Sequence, residues 1–243
     1  MAESVNPAAT LTGADTYSSA IAQADNYTRW IVDLCRPYIG HSLLEVGLGH
    51  GGFRSHLPRD IGYTGTDIDA REIDSASARH PEDRFLLADI TSPEFASDVR
   101  ALSPDVDTVL CANVLEHVEN DRAAVAHMLA AAATGGKLLL YLPAHQSLFG
   151  TMDTLAGHHR RYDPHDLLRI ADSARVAHWQ LVNPIAALGW WVNDKIEYDS
   201  LDERGINNQI RWFNRYILPI SRAVTPLTQR AFGLSLFCVI ENT

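Results

Sequence analysis

Short apolar runs alternate with stretches of helical period along most of the chain. Ser42–Val46, Gly62–Asp67, Arg84–Ala88, Val106–Ala112 and Lys137–Leu142 are short runs of the strand type. Between them, Gly52–Leu57, Arg71–Arg79, Pro93–Leu102 and Asp121–Ala133 predict helices, the last stopped by Thr134-Gly135-Gly136. An earlier helix is expected over Asp25–Tyr38, where Trp30, Ile31, Leu34 and Cys35 recur at helical spacing. Strands that alternate with helices predict an α/β fold with a doubly wound, mostly parallel sheet.

The last third breaks this rhythm. Pro143–Asp163 is polar and too long for a simple connection. A helix over Pro164–Ala171 and a strand near Ala177–Leu181 follow. A mostly helical stretch, Pro184–Phe232, then carries Trp190, Trp191, Trp212, Phe213 and Tyr216, and Leu234–Glu241 reads as a final strand. The expected division is a domain of residues 25–183 and 233–243 that binds a cofactor, with 184–232 inserted as a helical cap. Residues 1–24, rich in Ala, Ser and Thr, read as a mobile leader.

Charge narrows the partners. The 243 residues hold 30 acidic and 20 basic side chains, a net charge of -10, so a nucleic acid or an anionic membrane surface would be repelled. The longest apolar runs fall short of the ~20 residues of a membrane span, and the N-terminus has no signal-peptide pattern. Three widely spaced cysteines, Cys35, Cys111 and Cys238, suggest neither a disulfide framework nor a zinc site. A cytoplasmic location is expected.

The strongest local signal is Glu45-Val46-Gly47-Leu48-Gly49-His50-Gly51-Gly52, directly after the first strand. Glycines there let the backbone turn sharply and approach a ligand. Gly47, Gly49 and Gly52 fit the dinucleotide fingerprint, and Asp67 stands 20 residues after Gly47, where a ribose-binding acid belongs. A nicotinamide-dependent oxidoreductase is therefore one reading. Glu45 points to another, because an acid at that place repels a pyrophosphate but suits an ammonium or sulfonium.

With that acid, the chain resembles the class I S-adenosylmethionine-dependent methyltransferases, whose first motif is E/D-x-G-x-G. The resemblance implies a Rossmann-like seven-stranded sheet with the cap inserted before the last strand, and S-adenosylmethionine as cofactor. It casts Asp67 as the ribose acid, with Asp69 as fallback, and Ile68 as the residue packing on adenine. Asp89 and Ile90 follow the third strand at the adenine amino group. Asn113-Val-Leu-Glu116-His117 lies beside the methionine end. Tyr27 and Trp30 lie where related enzymes fold an N-terminal helix over the cofactor; Trp30 could equally anchor that helix to the sheet.

The loop leaving the fifth strand faces the methyl group in this fold. It reads Pro143-Ala-His145…Asp153…Gly157-His158-His159-Arg160-Arg161-Tyr162-Asp163, resembling a small-molecule subgroup with a GHxRRY loop and a later Gly189-Trp190-Trp191. Tyr162, Asp153, His145 and His158 are the catalytic candidates, a base being needed when the nucleophile carries a proton. Arg160 and Arg161 either line the acceptor's wall or pin the loop. Within the subgroup, indole C3-methyltransferases of natural-product biosynthesis suggest a tryptophan-derived acceptor. O- or N-methylation of a sugar or other metabolite is the alternative, and a non-catalytic cofactor-binding subunit is a third reading. No metal is expected, since the paired histidines lack a carboxylate spacing motif. The cap aromatics fit a pocket for a planar aromatic substrate, core packing, or a homodimer interface.

Overall fold

The computed structural model describes residues 25–193 and 213–242. The expected leader and residues 194–212 lie outside them, as do the side chains of residues 190–193. The described elements run α1 (Asp25–Cys35), β1 (Ser42–Val46), β2 (Gly62–Asp67), α2 (Ala70–Arg79), β3 (Arg84–Leu87), α3 (Phe95–Leu102), β4 (Thr108–Ala112), α4 (Asp121–Ala131), β5 (Lys137–Pro143), α5 (Thr151–Leu155), α6 (Asp166–Ala171), β6 (Arg175–Val182), α7 (Pro184–Asn193), α8 (Leu218–Thr228) and β7 (Ser235–Glu241).

The seven strands form one sheet in the order β3-β2-β1-β4-β5-β7-β6. β1 to β5 pair in parallel, while β7 slots between β5 and β6 antiparallel to both. The strand order turns back at β1, with β2 and β3 on one side and β4 and β5 on the other, and sheets of this kind bind ligands outside the carboxyl ends at such a switch point. The expected doubly wound, mostly parallel seven-stranded sheet is what the chain forms.

Strand alternation separates two cores. Leu138, Leu140 and Leu142 of β5 join Val109 and Cys111 of β4 and Cys238 of β7 on the face covered by α3, α4 and α6. Leu139 and Tyr141 point the other way, with Leu43, Leu110 and Phe237, against Trp30, Ile31, Val32 and Cys35 of α1. Both faces being covered explains why these strands read as near-continuous apolar runs. Each fully buried leucine contributes about 1.5–3 kcal/mol. Leu218 at the start of α8 enters the second core, and Ser221 of α8 donates to Asn183 Oδ1 (2.7 Å) before α7. This part of the expected cap thus leans on the sheet itself.

Two local expectations change. Gly52–Leu57 forms only a 3-10 turn at Arg54–His56. Pro58 follows closely, and the Arg54 side chain turns inward to Asp83 (2.5 and 3.0 Å). The helix expected from Pro164 starts at Asp166. Asp163 does not cap it; its carboxylate accepts from the Gln146 N–H (3.3 Å) and faces His145 Nδ1 (3.2 Å).

Candidate active site

The glycine loop sits at the carboxyl end of β1, next to the switch point. Gly47, Gly49 and Gly51 have φ of +70°, +46° and +66°, the left-handed region open to glycine. The Gly47 and Leu48 N–H groups donate to the Thr66 carbonyl (2.8 and 3.0 Å), locking the loop to β2. A Cβ at Gly47 would overlap Val114 Cγ2, whereas one at Gly49 would meet nothing within 4 Å. Gly47→Ala is therefore expected to destabilise the fold by about 2–4 kcal/mol through overpacking and backbone strain. Denaturant midpoints check this, and adding Val114→Ala should restore the steric part. An unchanged midpoint for the single variant would refute it.

Acids surround this loop. Asp67 accepts from the Gly49 N–H (2.9 Å) and the Asp69 N–H (2.9 Å), so it holds the loop and keeps lone pairs to spare. Asp69, the fallback, is buried, caps α2 and pairs with Arg71 (2.6 Å). Ile68 is 54% exposed at the end of β2, and Leu87, paired in register with Asp67, is 55% exposed. Two exposed apolar side chains there suit the face of a planar base. Leu87 was not among the expected residues; its position closing a strand beside Asp67 was the available signal. Asp89 is exposed, and its Oδ1 accepts from the Thr91 N–H and hydroxyl (both 2.8 Å). Ile90, expected at the cofactor, is instead buried in the first core.

Glu45 lies deeper than its motif suggests. It is 2% exposed, the Tyr63 hydroxyl donates to its Oε2 (2.7 Å), and its Oε1 has no partner. Burial pushes its pKa up to about 8, against the Tyr63 hydrogen bond. A cation against its unpaired oxygen would offset the cost of ionising it, whereas a pyrophosphate would add to that cost, so the position suits a cationic nucleoside better.

Across the switch point, Asn113 takes φ +53° at the end of β4, its N–H donating to the Tyr141 carbonyl (2.8 Å). The Leu115–His117 turn then brings Glu116 and His117 to the loop after β5. Glu116 is 1% exposed, and burial raises its pKa to about 7. The His117 ring meets His158 edge to face at 4.7 Å; burial and the neighbouring His158 lower its pKa to about 4. His158 Nδ1 lies 2.7 Å from Asp153 Oδ1, and its Nε2 lies 4.0 Å from Glu116 Oε1. Tyr27 of α1 overhangs this side, its hydroxyl 2.9 Å from that of Tyr141 and within the field of Glu116.

The other expected residues divide. Asp153 is fully buried, receives Arg161 Nε at 2.9 Å and the Gly150 N–H at 3.1 Å, and so positions His158 rather than meeting an acceptor. Tyr162 is also fully buried, its hydroxyl 3.2 Å from both the Leu115 carbonyl and Asp121 Oδ2. Burial and the Asp121 charge raise its pKa, so Tyr162 packs the loop and is no base. Arg160 and Arg169 converge on Asp121 (2.9 Å each), which fixes the loop's far end. Arg160 and Arg161 are thus pins and do not line an acceptor wall. Trp30 is buried in the second core and anchors α1 instead of covering a cofactor. His145 belongs to a separate pair with Asp163, stacked on Phe232 at 5.8 Å, its Nε2 buried without a partner.

Residues 44–138 match the family model described as "Methyltransferase domain". That stretch is similar to a methyltransferase domain, and S-adenosylmethionine is the cofactor that such a domain takes. A ubiquinone biosynthesis O-methyltransferase of Paramagnetospirillum magneticum is 36% identical over 106 residues, 42% of this chain and 41% of that protein. The chain spans about half the length of the curated relatives it matches. Among solved structures, a SAM dependent methyltransferase from Archaeoglobus fulgidus superposes with a TM-score of 0.56 at 14% identity, covering 89% of this chain and 94% of that one. The N-methyltransferase NodS from Bradyrhizobium japonicum WM9, in complex with S-adenosyl-l-homocysteine, gives 0.53 at 15%, covering 93% and 88%. Among the described residues no helix is long and apolar enough to cross a membrane.

Proposed function

We propose that the whole chain transfers the methyl group of S-adenosylmethionine to a small-molecule acceptor that sheds an O–H or N–H proton as it attacks, with a phenolic hydroxyl the leading case. When bound, the cofactor supplies a methyl group on a cationic sulfur. Gly47 and Gly49 would let the backbone approach it, Asp67 would hold the ribose, Ile68 and Leu87 would face the adenine, and Asp89 would flank its amino group. Glu45 would compensate the positive charge, with Asn113, His117 and Tyr27 around the amino-acid end.

The observation that carries the acceptor side is the cluster of Glu116, His117 and His158, with Asp153 setting the imidazole of His158 (2.7 Å). A carboxylate that hydrogen-bonds one ring nitrogen fixes the tautomer and turns the other nitrogen toward the reaction. Such a group receives the acceptor's acidic proton whether that proton leaves oxygen or nitrogen. The relative named as an O-methyltransferase favours oxygen. An indole asks the same group for its N–H proton and attacks through C3; that reading draws on the GHxRRY and Gly-Trp-Trp resemblance.

A labelled-methyl screen against phenols, catechols, tryptophan derivatives, cyclic dipeptides and nucleotide sugars tests the proposal. His158→Ala is expected to lower kcat about 100-fold on the acceptor found, with cofactor affinity unchanged. Unchanged turnover would remove the cluster from the reaction. Transfer to C3 of tryptophan derivatives alone would establish the indole reading over the phenolic one.

A further inference from the structure

Three groups of histidine and acidic side chains among the described residues bring their donor atoms within 4.8 Å of one another. Two are already engaged. In His80, Glu82 and Asp83, the Asp83 carboxylate is held by Arg54 through two nitrogens. In Asp163, His165 and Asp166, Asp163 accepts from the Gln146 N–H (3.3 Å) and Asp166 from the Asp163 N–H (2.9 Å). The third group, Glu116, His117 and His158, is different in kind.

Glu116 is almost wholly buried, yet its Oε2 has no hydrogen-bond partner and its Oε1 comes no nearer to His158 Nε2 than 4.0 Å. Burying a carboxylate oxygen unpaired is costly, so a cation belongs near it. His158 is already oriented for one. Its Nδ1 is 2.7 Å from Asp153, and Asp153 is fixed by Arg161 and the Gly150 N–H. That is the carboxylate–histidine arrangement found behind metal-binding imidazoles, and it presents Nε2 outward. His117 stands edge to face with His158 at 4.7 Å and brings its own ring nitrogen to the same group. Donor atoms about 2.1 Å from a metal stand roughly 3–4 Å apart, so small side-chain rotations close the group.

We propose that Glu116, His117 and His158 bind one divalent transition-metal ion through two imidazoles and a carboxylate, leaving open positions for an acceptor's oxygen donors. A borderline donor set of this composition suits Zn²⁺, Co²⁺, Mn²⁺ or Fe²⁺. Three protein ligands make an open site of the catalytic kind rather than a closed structural one. The acceptor class that fits is a phenol with a neighbouring hydroxyl or carbonyl, whose O–H bond breaks more readily beside the cation, the proton passing to water. In the loaded state His158 is a ligand, and the cation, by making the acceptor's O–H more acidic, takes the place of His158 as a base. The assignment of the open positions to an acceptor rests on the proposed function; the metal site does not.

The test is a titration of the full chain, stripped with EDTA, with Co²⁺ by calorimetry and visible absorption. One equivalent should bind with ligand-field bands, and Zn²⁺ should displace it. Glu116→Gln and His158→Gln should each weaken binding at least tenfold, while His80→Gln leaves it intact and S-adenosylhomocysteine binding reports folding in every variant. Cobalt binding that survives both site substitutions, or full methyl transfer in EDTA by a chain that takes up no cobalt, overturns the metal site and leaves methyl transfer standing. Specific cobalt binding without transfer to any acceptor in the screen supports the site and counts against the proposed function.

Discussion

Glu45→Gln is expected to make the ligand-free chain more stable at pH 8.5 and to weaken cofactor binding by at least tenfold. Burial lifts the Glu45 carboxyl to about 8, the Tyr63 hydrogen bond opposes that, and the Asp67 charge adds to it. A carboxyl whose folded pKa exceeds its unfolded value keeps its proton in the native state after the unfolded chain has released it. Stability is then fully present below the ordinary carboxylate value, falls as pH rises toward 8, and reaches its minimum above it. The size is on the order of 2–4 kcal/mol for a shift of this kind. Glutamine keeps the shape and can still accept from Tyr63, but removes the charge and the slope. Glu116, raised to about 7, contributes a slope of its own, so the quantity to measure is the difference between wild type and variant in denaturation at pH 5.5 and 8.5. A cation bound against Glu45 offsets the same cost, and stabilisation by S-adenosylmethionine should therefore grow with pH in the wild type and stay flat in the variant. Parallel pH profiles for the two chains would sink the argument.

What the sequence made legible follows from the range over which its signals act. The β5 run Lys137–Pro143 and the glycine loop are decided within a few residues, by strand periodicity and by positions that need positive φ, and both are where the pattern put them. Asp67 closes its strand and Ile68 follows it at the sheet's carboxyl edge, where the strand pattern puts them. Tyr162, expected as a catalytic group, and Arg161, left between lining the acceptor's wall and pinning the loop, are harder to read for the opposite reason: their partners, Asp121 and Asp153, stand 41 and 8 residues away and turn them inward. Trp30 was ambiguous because a helix with one apolar face does not state what that face covers. The metal-like grouping of Glu116 with His158 could not be read at all, since a 42-residue gap separates the two and no local spacing announces it.

Asp153 carries the other large effect. It joins Arg161, His158 and the N-terminus of α5, and both it and Arg161 are shielded from water. Burial alone would raise its pKa, but hydrogen bonds from His158 and Arg161 outweigh that and hold it below the usual value. With the folded pKa depressed, its contribution to stability is present above the ordinary carboxylate range and lost as pH falls through the folded value. Asp153→Ala removes that contribution at every pH and leaves the Arg161 guanidinium buried without a counter-charge, an expected loss of about 3–5 kcal/mol. It also frees the His158 ring, so turnover should fall about 100-fold in whatever fraction still folds. Arg161→Met separates the two effects. Paired with Asp153→Ala, it removes the orphaned cation, and the double variant should be more stable than Asp153→Ala alone by 1 kcal/mol or more, on the order of typical coupling between buried partners. Turnover should remain low in that double variant, because His158 is still unanchored. Simple addition of the two stability losses would mean that the ion pair does not hold the loop, and recovered turnover would mean that Asp153 does not position His158.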